Sequence, residues 1–298
     1  MSEKKISQRL EQAIAEWQCW QLPMQKKPVL VSALAGGETN WVYLLDDGTQ
    51  HWVLRLLNLR TPTASSLDAR INEQQAHNAV HALGLSPALA YVDPAFRYQL
   101  CEYVHGINWH EHNTNTTHHL PAIKNKPSTI EGGSIDASLQ SLIGSIKSIQ
   151  TIRIELPTIR YAQKLSDYWQ RLEPSIVPQQ YGQRLGQHRH YMALARRLDA
   201  SFGLDTTNES VLCHHDLNAH NIIVPIGTTK PSKLQLIDWE FACLGPATMD
   251  FAILTVELKI DINDMSHLSG YPAIDLELAA DVYRYLCQIY RAVVDNES

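Results

Sequence analysis

The sequence predicts an α+β chain, with a β-rich N-terminal lobe carrying one main helix followed by a mainly α-helical C-terminal lobe. Three observations carry this reading. Between residues 29 and 103 short apolar runs alternate with Gly, Pro, Asn and Asp clusters, the mark of strands and tight turns. From Leu139 onward apolar residues recur mostly at helical spacing. With 298 residues, 44% of them hydrophobic, the chain can bury a sizeable core in one large or two small domains. The change of character falls at His105-Gly106, so residues 1–105 form the first lobe and 106–298 the second.

Ile6, Leu10, Ala13, Ile14 and Trp17 share one helical face and predict a leading helix over 5–20, stopped by Pro23 and Pro28. Val29 to Leu34 reads as a strand. Trp41 to Leu45 and His51 to Leu57 read as a hairpin around Asp46-Asp47-Gly48-Thr49. A helix is expected from about Ser65 to Leu83, with Gly84 as its C-terminal stop. Ala88–Val92 and Tyr98–Tyr103 form a second strand pair around Asp93-Pro94. A polar stretch over 108–136 reads as a surface insertion. Helices follow over Leu139–Ile152, Ala162–Leu172, Gln183–Leu198, Thr248–Leu258 and Asp275–Val294. A hairpin-like pair is expected around Gly227 to Pro231.

Composition narrows the function classes. Net charge is −6 and no Lys/Arg-rich run occurs, which argues against a nucleic-acid partner and is compatible with a cationic small substrate. The five cysteines (Cys19, Cys101, Cys213, Cys243, Cys287) are scattered without a CxxC pattern and read as free thiols of a reducing cytosol. The amphipathic start is unlike an apolar signal core, and no apolar run reaches membrane-spanning length. The expectation is a cytoplasmic protein with no membrane partner.

The chemistry concentrates in two segments. Cys213-His214-His215-Asp216-Leu217-Asn218-Ala219-His220-Asn221 reads H-x-D-x-x-x-x-N and opens into Ile222-Ile223-Val224. Leu234-Gln235-Leu236-Ile237-Asp238 is an apolar strand ending in an acid. Phosphoryl transfer from a nucleotide needs these groups: a carboxylate to take the proton of the attacking hydroxyl, and an amide and a second carboxylate to hold Mg²⁺. Asp216 is therefore the expected catalytic base, and Asn221 and Asp238 the expected Mg²⁺ ligands, since hard cations take oxygen ligands. His214 is expected to brace the loop, and no metal role is implied for His215 or His220. Only Trp239 to Ala247 separates Asp238 from the next helix, too little for the activation loop of a protein kinase.

HHDLNAHNIIV together with LQLIDWEFACLGPATMDFA resembles the choline kinase and aminoglycoside phosphotransferase (APH-like) superfamily, in the style of bacterial choline and thiamine kinases. The resemblance runs from about Val29 to Glu257. It implies a two-lobed protein-kinase-like fold and ATP with Mg²⁺ as cofactors. Gly36-Gly37-Glu38-Thr39-Asn40 resembles the family's G-G-x-T-N loop, so Gly36, Gly37, Thr39 and Asn40 are expected to approach the phosphates. Arg55 stands where protein kinases carry the lysine of V-A-I-K and is expected to serve phosphate, with Glu73 as its helix partner. Cys101-Glu102-Tyr103-Val104-His105-Gly106 resembles the family's hinge, so backbone groups of Glu102 and Val104 are expected to pair with adenine.

On the acceptor side, Glu240 and Phe241 follow Asp238 directly, and Glu257 ends the apolar run Phe251 to Val256. An unpaired carboxylate is costly there, so its presence points to function. Such acids combined with the faces of Trp239, Trp169, Tyr285 or Tyr290 would suit a quaternary ammonium. The sequence thus predicts a small-molecule kinase whose acceptor is a hydroxyl of choline, thiamine, ethanolamine or a similar cationic amino-alcohol. The alternatives are an aminoglycoside or sugar-type phosphotransferase, or a nucleotide-binding pseudokinase; the pseudokinase predicts loss of a catalytic group, whereas Asp216, Asn221 and Asp238 are all present.

Overall fold

The computed structural model describes residues 3–34, 40–57, 67–112, 137–172, 187–202, 209–227 and 233–297. The chain divides into two compact units. The first comprises Met1–Asn108 with Ile223–Phe241, the second Trp109–Ile222 with Ala242–Ser298.

In the first unit, strands β1 (Val29–Leu34), β2 (Trp41–Asp46), β3 (His51–Leu56), β4 (Leu89–Val92) and β5 (Tyr98–Glu102) form one antiparallel sheet in the order β1-β2-β3-β5-β4. The β2–β3 turn is fixed by Asp47, whose carboxylate accepts the N–H groups of Thr49 (2.7 Å) and Gln50 (2.9 Å) and the indole N–H of Trp52 (2.8 Å). Period-2 alternation then sorts β3 by face. Trp52, Leu54 and Leu56 join a core with Leu45, Tyr98 and Leu100, covered by Leu10, Ala13 and Ile14 of helix α1 (Glu3–Ala15) and by Trp20. Each such large apolar side chain stabilises the fold by about 1.5–3 kcal/mol when fully buried. Val53 and Arg55 are left for the opposite face.

Helix α1 ends at Ala15, earlier than the expected 20, and passes into a 3₁₀ turn over Trp17–Trp20. Arg97 fixes this end by binding both Glu16 oxygens (3.0 and 2.7 Å) and Asp93. Helix α2 (Leu67–His81) stops where Gly84 takes a left-handed φ of 69°, letting the Leu85 N–H return to the Val80 carbonyl.

A three-residue strand, β6 (Gly106–Asn108), lies within the stretch around residue 106 where the sequence offers no alternation to read. It pairs with β8 (Ile222–Pro225), and β8 neighbours β9 (Gln235–Leu236). Gly106 is required here, because a Cβ would stand 2.6 Å from the Val224 carbonyl oxygen. Of the expected insertion over 108–136, residues 113–136 lie outside the described residues, as do 228–231 of the expected turn at 227–231.

The second unit is mainly helical: α3 (Ala137–Ile149), α4 (Tyr161–Arg171), α5 (His188–Asp199), α6 (Met249–Glu257), α7 (Ile262–Ser269) and α8 (Ala273–Glu297). Helix α6 is buried along most of its length, with Phe251, Ala252, Ile253 and Leu254 fully buried. It packs on α8, whose Leu276, Ala279, Ala280, Val282, Tyr285 and Ile289 are buried at helical spacing. A two-stranded ladder, β7 (Val211–Cys213) with β10 (Cys243–Gly245), ends in the H-x-D loop. Among the described residues no helix is long and apolar enough to cross a membrane.

Candidate active site

Asp238 follows β9 and sits in the left-handed region, φ 67°. A non-glycine residue there carries backbone strain, tolerated only when its surroundings hold it. They do: the Leu236 N–H donates to the Leu85 carbonyl (2.8 Å), and the Leu236 carbonyl accepts from Ser86 Oγ (2.9 Å). Trp239 is fully buried, its indole N–H shared between Ser86 Oγ and the Leu236 carbonyl. Its ring belongs to the core of the first unit, so it does not offer a face to a cation.

From β3, Arg55 projects to the face opposite the α1 core and meets Glu73 of α2, the partner its position predicts (2.5 Å). Its other nitrogen, Nη2, binds Asp238 Oδ1 (2.6 Å) and Glu240 Oε2 (3.0 Å). Arg70 Nη1 holds the second oxygen of Glu73 (2.9 Å) and stands 4.0 Å from Glu240 Oε2. Asn40, the described end of the glycine loop, donates to the same Glu240 oxygen (3.2 Å). Gly36, Gly37 and Thr39 lie outside the described residues. Burial alone would lower the Arg55 pKa, but Asp238, Glu73 and Glu240 outweigh it and hold the guanidinium charged. Burial pushes the Asp238 carboxyl up to about 6, against the pull of Arg55.

Glu240 is expected from the sequence in the acceptor pocket. Its side chain is 4% exposed and is engaged by Arg55 and Asn40 within the first unit. Phe241, which follows it, is half-buried. At the expected hinge, alternation along β5 turns the N–H and carbonyl of Glu102 away from β3. The N–H is taken by the Ala88 carbonyl (2.9 Å), and Val104 is half-buried in the segment that follows β5.

In the second unit the H-x-D loop hangs from one carboxylate. Asp250, in the first turn of α6, accepts the backbone N–H groups of His214 (2.9 Å) and His215 (3.0 Å). Burial raises its pKa to about 6 against these two donors. Neither of the two segments that carry the chemistry, 213–224 and 234–238, includes Asp250. The signal was available: an acid inside the apolar run Met249-Asp250-Phe251-Ala252 is costly unless donors reach it. His215 takes a left-handed φ of 65°, and its buried ring lies between Tyr161 Oη (2.8 Å) and Cys243 Sγ (3.5 Å). Burial and the nearby Lys164 and His214 lower its pKa to about 3, so it stays neutral. His214 is also buried, and its Nδ1 accepts the Asp216 N–H (3.3 Å), the bracing role its motif position implies.

Both Asp216 carboxylate oxygens accept amide protons, Oδ1 from Asn218 (3.1 Å) and Oδ2 from Asn221 (2.9 Å). Asn221 Nδ2 also reaches the Asp216 carbonyl (2.9 Å), closing the loop on itself. With its nitrogen turned to Asp216, Asn221 keeps its amide oxygen as an oxygen donor for a hard cation.

The acceptor-side acid Glu257 ends α6 and accepts from the hydroxyl of Tyr283 on α8 (2.9 Å). Cys287 lies one helical turn further along α8. Burial raises the pKa of both Tyr283 and Cys287, and the negative charges of Glu257 and Asp216 raise both further. The charges of Asp216 and Glu257 thus both act on the Tyr283 and Cys287 pair within the second unit. Of the other aromatic candidates, Tyr285 is fully buried and stacked on Tyr191 (4.3 Å between centroids), Trp169 stacks on His188 (3.9 Å), and Tyr290 packs on Tyr168.

The phosphotransferase enzyme family model matches residues 31–265, which span Asn40, Arg55, Glu73, Asp216, Asn221, Asp238, Glu240 and Glu257. The chain belongs to the phosphotransferase enzyme family. It is a phosphotransferase, and its fold is the protein-kinase-like one, with the antiparallel sheet in the N-terminal region and helices in the C-terminal part. Among solved structures it is similar to the choline kinase LicA of Streptococcus pneumoniae, at 17% identity and a TM-score of 0.69, covering 97% of this chain and 92% of that one. It is also similar to an ethanolamine kinase of Plasmodium vivax, at 13% identity and a TM-score of 0.63, covering 98% and 84%. A third is a thermostable mutant of the aminoglycoside phosphotransferase APH(4)-Ia, at 16% identity and a TM-score of 0.60, covering 91% and 89%. No curated protein sequence matches the chain.

Proposed function

We propose that this phosphotransferase is an ATP- and Mg²⁺-dependent small-molecule kinase whose acceptor is a cationic amino-alcohol such as choline, ethanolamine or thiamine. The observation that supports it most is the acid Glu257, held by the Tyr283 hydroxyl (2.9 Å), a group on which the Asp216 charge also acts. A second carboxylate in the same unit as the base suits an acceptor that carries a positive charge as well as a hydroxyl. Structural similarity to a choline kinase and an ethanolamine kinase points the same way.

In this reading Asp216 accepts the proton of the acceptor hydroxyl, oriented by the amides of Asn218 and Asn221 on its two oxygens. Asn40 and Arg55 bind phosphate oxygens, and the Glu102 carbonyl receives the adenine amino group. The donors for the metal are oxygens, the carboxylate of Asp238 and the amide of Asn221, a set that fits Mg²⁺ and not a thiolate- or imidazole-seeking ion. When bound, Mg²⁺ neutralises charge that develops on the phosphates. This reading places the reaction in the cytoplasm.

The test is a panel assay of ADP formation with choline, ethanolamine, thiamine, a neutral alcohol and kanamycin, each at equal concentration. Turnover concentrated on one of the first three supports the reading. Turnover on kanamycin alone replaces it with an aminoglycoside phosphotransferase, and ADP formation with none of them contradicts it.

A further inference from the structure

Arg55, Arg70, Arg97, Arg153 and Arg284 each meet a carboxylate. Arg160, Arg189, Arg196 and Arg197 are exposed and make no ion pair among the described residues. All four belong to one surface of the second unit. Helix α5 is pinned by its inner face, where Ala195 and Leu198 are buried, Tyr191 stacks on Tyr285 of α8, and His188 Nδ1 meets the Tyr285 hydroxyl (2.8 Å). Its outer face is the exposed stripe Arg189, His190, Ala193, Arg196 and Arg197. Spacings of three, four and seven residues put these side chains on one side, over about 12 Å of helix. Asp199 joins the stripe to Arg160. Its two oxygens accept the N–H groups of Tyr161 (2.8 Å) and Ala162 (3.0 Å), which sets Arg160, the residue before α4, beside the last turn of α5. The same two bonds occupy the only acid of α5.

The helix dipole accounts for part of this charge. Arg196 and Arg197 lie in the last turn, where cations are favoured. Arg189 lies in the first turn, where the dipole disfavours it, and no acid stands there to compensate. The wider segment follows suit: residues 150–200 hold eight Lys and Arg against four Asp and Glu, in a chain that is acidic as a whole. Charge gathered against the sign of the whole chain attracts a partner of opposite sign to one face. The shape of that partner is limited too. Helices α4 and α8 pack along α5, so its outer stripe can be laid on a plane but not enclosed in a groove.

We propose that the outer face of α5, together with Arg160, docks this protein peripherally on an anionic phospholipid surface. The guanidinium groups meet lipid phosphates, which suit their paired N–H donors. The inner face of α5 is already packed within the unit, so the contact is electrostatic, inserts no helix, and is reversed by salt.

The experiment is co-sedimentation of the full chain with vesicles of phosphatidylglycerol and phosphatidylcholine in equal parts and with vesicles of phosphatidylcholine alone. A DNA duplex, followed by electrophoretic shift, is the third arm. The chain should sediment with the anionic vesicles only, and about 0.5 M salt should release it. Each arginine removed should weaken binding about fivefold, so Arg189→Gln, Arg196→Gln and Arg197→Gln combined should weaken it about 100-fold. Arg284→Gln, which removes a paired arginine of α8, should stay within about twofold. If circular dichroism shows the triple variant unfolded, Arg189→Gln alone decides by its loss of about fivefold. No binding to the anionic vesicles at low salt overturns the proposal. So does a triple variant that binds as the wild type does, or a loss in Arg284→Gln as large as in Arg189→Gln. Equal binding to both vesicle types would mean apolar insertion and contradicts it. Tighter binding to the duplex than to the vesicles would give the face to nucleic acid instead.

Discussion

The two acids that carry the phosphotransfer motif are held in opposite ways. Asp238 is held by charge, within a network of Arg55, Arg70, Glu73 and Glu240 on β3, α2 and the segment after β9. Among the described contacts, Asp216 is held by neutral donors: the amides of Asn218 and Asn221 on its carboxylate, and a loop whose His214 and His215 N–H groups end on Asp250. Side-chain charges can exchange partners when a charged ligand arrives. A loop hung by backbone groups can change only if the chain itself moves. The first arrangement suits binding and release, the second suits a proton acceptor that must stay in place through each turnover.

The sharpest way to break the second arrangement is through Asp250. Burial lifts its pKa from 3.8 to about 6. A carboxyl with a raised folded pKa contributes stability that is full below 3.8 and lost as pH climbs through about 6. Over that window the wild type should lose about 3 kcal/mol relative to Asp250→Asn, which does not titrate there. Urea unfolding of both chains between about pH 4 and about pH 7 measures the difference. A gap that stays constant with pH would mean that the loop is not hung from an ionisable buried carboxyl.

A smaller effect sharpens the contrast on the acceptor side. Glu257 carries no part of the ion-pair network, so Glu257→Gln should leave the KM for ATP within about twofold. The KM for a cationic alcohol should rise about tenfold, near 1.4 kcal/mol of lost charge pairing. Both constants are to be measured on one preparation. If they rise together, or neither moves, Glu257 serves only as the acceptor for Tyr283 and the cationic-acceptor reading loses its local support.

Much of the framework was legible because its signals are local. Strand β1 matches the expected Val29–Leu34 residue for residue, and β2 and β3 agree within a residue because Asp46-Asp47-Gly48-Thr49 fixes their turn. Gly84 marks the end of α2 for the same reason. Strands β6, β7 and β10 were not legible, since three residues or fewer of pairing leave no alternation to detect. Helix α7 passed unread although its boundary signals were present: Asp261 caps its first N–H groups, and Gly270 follows it at φ 83°. At the site, Arg55 with Glu73 follows from strand alternation facing a helix. Asp250 does not, because its partners are backbone groups 35 and 36 residues away and no side-chain pattern records them. Glu240 is the instructive position: adjacency to Asp238 suggests the acceptor, whereas the turn after β9 carries its carboxylate to Arg55 and Asn40.

The contrast between a binding acid and a catalytic acid is tested most directly by titrating Mg-ATP calorimetrically into Asp216→Asn and Asp238→Asn side by side, with turnover recorded on the same samples. Asp216→Asn should bind Mg-ATP within about twofold of the wild type while losing about 10²–10⁴-fold in kcat. Asp238→Asn should lose at least about tenfold in Mg-ATP affinity. Near wild-type kcat in Asp216→Asn, or unchanged Mg-ATP affinity in Asp238→Asn, would contradict the division of labour between the two acids.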